Sequence, residues 1–68
     1  MSISARNQLE GKISDIVMGD VMAEVTMQVG ENVIDAIITR RSAEELKLKK
    51  GDAVIAVIKA TEVMVSKG

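Results

Sequence analysis

The chain has 68 residues, which leaves room for one domain. It contains no Cys, no His and no aromatic residue. Disulfides, thiolate metal sites, Cys nucleophiles, imidazole bases and Ser-His triads are therefore excluded, and nucleic-acid bases would find no ring to stack on. Nine Lys+Arg stand against ten Asp+Glu, a net charge of -1. That balance argues against nucleic acid or an anionic membrane surface as a partner.

Apolar residues make up 47% of the chain, and Val and Ile are 17 of those 32. A stock so rich in β-branched side chains predicts strands. The longest apolar run, Ala53 to Ile58, has six residues, too few to span a bilayer. The opening MSISARNQLEGK has no apolar stretch of signal-peptide type, so a soluble, cytoplasmic protein is expected.

Polar residues Ser2, Ser4, Arg6, Asn7 and Gln8 come first. A first strand is expected from Leu9 to Val17, with Leu9, Gly11, Ile13, Asp15 and Val17 on one face. Gly19-Asp20 reads as a turn. Val21, Ala23, Val25, Met27 and Val29 then alternate with Asp20, Met22, Glu24, Thr26 and Gln28, the clearest period-two pattern in the chain. Gly30-Glu31-Asn32 closes a hairpin onto a third strand, Val33 to Thr39. Ser42 with Glu45 three residues later reads as a capping box, with Ser42 the N-cap of a short helix that ends near Leu46 to Leu48. Gly51-Asp52 turns into a fourth strand, Ala53 to Lys59. Ala60-Thr61-Glu62 interrupts it before a short fifth strand, Val63 to Val65.

Five short antiparallel strands with a helix between the third and fourth predict an all-β fold, a small five-stranded barrel of the oligonucleotide-binding (OB-fold) kind, as a single domain over residues 1–68. A barrel needs apolar residues only on its inner face, yet Ala53 to Ile58 is apolar on both and Val33 to Ile38 nearly so. A chain this short buries only about 60% of its unfolded surface, so small domains without disulfides or metals commonly oligomerise. A homo-oligomer that covers the outer apolar surface is expected.

No catalytic constellation has credible spacing, so an enzyme is not expected. Glu44, Glu45, Asp52 and Glu62 are scattered over helix and turns, and Gly30 and Gly51 are turn glycines without a phosphate-binding loop. The donors are better placed. Ser4-Ala5-Arg6-Asn7 offers backbone N–H groups, a hydroxyl and a guanidinium. Ser42 offers a hydroxyl at a helix start, and Lys59-Ala60-Thr61 an ammonium, a small residue and a hydroxyl at a strand break. Spacing alone does not show that these groups meet on one anion. One alternative is a nucleic-acid-binding β-barrel or swapped-hairpin regulator module, since Ser42 to Val57 faintly resembles such regulators, but the absent aromatics and a pI near 5.3 weigh against it. Another is a purely structural assembly subunit.

The segment SARNQLEG (Ser4 to Gly11) is similar to the opening of the molybdenum-pterin-binding proteins, the molbindins or Mop domains. The resemblance continues through Ile37-Ile38-Thr39, Ser42, Glu45-Leu46, Leu48-Lys49-Lys50-Gly51 and Val57 to Met64, from Ser2 to about Val65. It implies an OB-like barrel whose subunits exchange a strand in a dimer, with three dimers in a hexamer. It implies molybdate or tungstate bound as an oxyanion at subunit interfaces, with no side chain on the metal itself, for intracellular storage or homeostasis. The implied site is Ser4, Ala5 and Arg6, then Lys59, Ala60 and Thr61, with Ser42 from another subunit. The family often has Ser where this chain has Ala60, which leaves a backbone donor there and makes Thr61 the hydroxyl.

Overall fold

The computed structural model describes residues 6–68 of the chain. Its elements are β1 (Asn7–Met18), β2 (Met22–Val29), β3 (Asn32–Thr39), the helix α1 (Arg40–Glu45) and β4 (Ala53–Ile58). A 3-10 turn, Ala60–Glu62, follows β4. The strands form one antiparallel sheet in the order β3-β2-β1-β4.

The alternation read in β2 sets the inner face. Ala23, Val25 and Met27 are buried opposite Ile38, Ala36 and Ile34 of β3. Ile13, with 2% of its surface exposed, centres the core with Val25, Met27 and Ala56. Ile16, Ile34, Ala36, Ile38, Leu48 and Val54 pack around them. Gly30 supplies the positive φ of 61° that a tight hairpin needs, and Val29 pairs with Asn32, so the turn is Gly30-Glu31 and Asn32 opens β3.

The single face expected for β1 is corrected by a bulge. Ile13 pairs with Met27 and Asp15 with Thr26, so Ser14 is an extra residue on β1. Its hydroxyl donates to the Thr26 carbonyl at 3.2 Å. Beyond the bulge the parity reverses. Ile16 opposite Val25 joins the core, whereas Asp15 and Val17 face outward.

The closed five-stranded barrel is also corrected. Among the described residues there are four strands, and β3 and β4 lie at opposite edges without pairing to each other. Val63 to Val65 forms no strand. Glu62 N–H donates to the Lys59 carbonyl at 2.9 Å, and this turn redirects the chain away from the sheet. Met64 and Val65 are each 94% exposed, since an extended trimer with no ladder partner has nothing to hold it.

The helix start is corrected in the same way. Thr39, not Ser42, is the N-cap of α1; its side chain accepts from Ser42 N–H, and its backbone is extended at φ -71°, ψ 148°. Arg40 and Arg41 are good helix formers, so the helix extends back to the next hydroxyl residue able to cap it. At the other end, Lys47 takes φ 53°, the left-handed position usually given to Gly, while Leu48 N–H donates to the Ala43 carbonyl at 3.1 Å. The loop then returns to the bulge: Gly51 N–H donates to the Ile13 carbonyl at 2.8 Å, and Ile13 N–H to the Asp52 carbonyl at 2.9 Å.

Two stability outcomes follow from this backbone. A Cβ on Gly11 would lie 2.5 Å from the Gln28 carbonyl oxygen and 2.8 Å from Val29 Cγ2. The β-propensity gained in Gly11→Ala is outweighed by that clash with backbone, so the variant should lose about 1–3 kcal/mol in denaturant unfolding. An unchanged midpoint would contradict the close approach. Lys47→Gly should gain about 1 kcal/mol by relieving the left-handed backbone, and a destabilised variant would show that the lysine side chain contributes more than its strain costs.

Candidate functional site

The register brings two of the expected donor groups together. Asn7 pairs with Ile58, so Arg6, one residue before β1, and Lys59, one residue after β4, lie at the same end of the same ladder. Ser4 and Ala5, which precede Arg6, lie outside the described residues. Arg6, Lys59, Ala60 and Thr61 are all exposed. Lys59 makes no ion pair among the described residues.

The backbone after β4 is arranged as a donor cluster. Lys59 is the N-cap of the 3-10 turn with an extended backbone (φ -65°, ψ 137°), and its side chain does not cap the turn. The first N–H bonded within the turn is that of Glu62, so the N–H groups of Ala60 and Thr61 have no helical acceptor. The stretch after β4 thus carries two backbone donors, the Thr61 hydroxyl and the Lys59 ammonium, next to the ladder end that Arg6 precedes.

Ser42 is not part of this cluster within one chain. Met22 pairs with Thr39 and Met18 with Ala23, which places α1 beyond the far end of β1, next to the opposite edge of the sheet. Among the described residues no hydrogen bond joins Ser42 to Lys59, Ala60 or Thr61, although Leu46, just after the helix, lines the same cavity as Ile58 at the end of β4.

The local chemistry at Ser42 involves a residue that sequence reasoning passed over. The Thr39 hydroxyl accepts from Ser42 N–H at 3.0 Å and donates to Ser42 Oγ at 2.8 Å. Ser42 is left with its own hydroxyl proton for an outside acceptor. The signal was present as Thr39-x-x-Ser42, two hydroxyls three residues apart. Arg40, in contrast, is committed within the fold: its Nη1 donates to the Gly19 carbonyl at 3.2 Å and its Nε lies 3.4 Å from Glu44 Oε2.

The inner face of the sheet carries a cavity of about 450 Å³, lined by Ile34 and Ile38 of β3, Ile58 of β4, and Leu46 and Leu48 among others. Its walls are almost wholly apolar, so a dianion would lose its hydration there and gain no donors. Among the described residues no three carboxylates come together to hold a metal ion. No helix among them is long and apolar enough to cross a membrane.

Comparison with known proteins gives the family. The TOBE domain model matches residues 3–65. Molybdenum-pterin-binding proteins 1 and 2 of Clostridium pasteurianum are each 50% identical over 96% of this chain and 97% of theirs. The probable molybdenum-pterin-binding protein of Haemophilus influenzae is 46% identical over 96% of both chains. Among solved structures, the molybdate-binding protein of Sporomusa ovata superposes with a TM-score of 0.95 at 45% identity, over 98% of this chain and 100% of that one. MopII of Clostridium pasteurianum gives 0.90 at 48% identity, over 97% and 100%. The cytoplasmic molybdate-binding protein ModG, in a form with molybdate bound, gives 0.84 at 43% identity, over 88% of this chain and 43% of that one. With nearly its whole length matched in sequence and in backbone, this chain belongs to the TOBE-domain family, among its molybdenum-pterin-binding members.

Proposed function

We propose that this protein binds molybdate, or its heavier congener tungstate, as an intact oxyanion at surfaces where copies of the chain meet, and that it serves as a store of that ion inside the cell. It acts in this reading as a binder rather than a catalyst, with residues 1–68 working as one domain. The site consists of Ser4, Ala5 and Arg6 together with Lys59, Ala60 and Thr61, completed by Ser42 of another copy. The observation that carries the reading is the register: Arg6 and Lys59 share one end of the sheet, and Ser42 lies at the other. The names of the relatives and solved neighbours supply the ligand.

The chemistry of the donor set supports an anion without a proton. Molybdate at neutral pH is a tetrahedral dianion with four acceptor oxygens and no hydrogen to give. Backbone N–H groups, hydroxyls and the Lys59 ammonium offer it hydrogen bonds without asking for one. Hydrogen phosphate brings a proton that needs an acceptor, so a site of donors alone disfavours it. Sulfate has the same charge and shape but is smaller, and its rejection rests on the size of the assembled site. Arg6 contributes through its backbone N–H in this reading, because peptide dipoles hold a buried dianion without a further full charge to desolvate.

The assembly proposed with it is a dimer that exchanges a strand, with three dimers forming a hexamer. The exposed trimer Val63 to Val65 supplies the fifth strand, added to an unpaired edge of a second copy's sheet. Its β-branched, apolar sequence and the two free edges of the sheet support this pairing.

Titration calorimetry with molybdate, sulfate and phosphate at micromolar protein tests the ligand. Saturable heat with molybdate and none with phosphate is expected; no heat with molybdate refutes the reading. Lys59→Ala should weaken molybdate binding about tenfold or more, since a hydrogen bond to a charged group contributes about 1.5–3 kcal/mol. An unchanged affinity would remove Lys59 from the site. A chain shortened to end at Glu62 should sediment as a smaller species than the full chain, and an unaltered sedimentation coefficient would remove Val63 to Val65 from the contact.

A further inference from the structure

We draw no further inference here: the strongest candidate, the apolar cavity on the inner face of the sheet between β3 and β4, is an unpartnered apolar face, and nothing in the structure shows what covers it.

Discussion

An open sheet of four strands has two rows of backbone N–H and C=O groups that its own chain does not satisfy. Among the described residues those rows run along β3, nearly apolar on both faces, and β4, apolar on both. Inside, Ile34, Ile38 and Val54 pack against the core; outside, Ile37 is 60% exposed and Ile55 54%. Solvent can satisfy the backbone of an edge, but it does not compensate for apolar surface kept in water. Without cysteine, histidine or aromatic residues, the chain has few other ways to cover this surface. In the assembly proposed above, further copies cover both the edges and the outer faces.

The same constraint governs where a ligand can be held. The concave face of the sheet is a cavity of apolar walls, which suits a strand or side chains from a neighbour and repels an oxyanion. The donors lie at the rims instead, where β1 begins, where β4 ends and where α1 begins. The β1–β4 register joins the first two of these rims within one chain, and in the proposed site Ser42 of a second copy completes them. The proposed assembly couples the filling of the proposed site to association, because the residues at the end of the ladder and the candidate donor residues are adjacent in sequence. Ile58 ends β4 in the ladder, and Lys59 begins the donor cluster.

Much of this was legible in the residues. The alternation from Val21 to Val29 identified β2 and its buried face, and the apolar run from Ala53 to Ile58 identified β4. What failed did so for local reasons. Period two assumes an unbroken ladder, and the extra residue Ser14 reverses the faces of β1 without changing its composition. Two hydroxyl residues compete to cap α1, and the presence of Glu45 favoured Ser42 on paper, whereas the backbone chose Thr39. Val63 to Val65 has the composition of a strand, but a strand exists only where a partner runs beside it. The donor residues were legible as types. Their neighbourhood was not, because the closeness of Arg6 to Lys59 is a property of the β1–β4 register.

Native mass spectrometry of the full chain, with and without added molybdate, tests the central claim most directly. The account predicts an assembly of several copies, a hexamer in its full form, that gains mass in steps of the oxyanion when molybdate is present. A stable monomer at micromolar concentration, or a monomer that binds molybdate by itself, would contradict it.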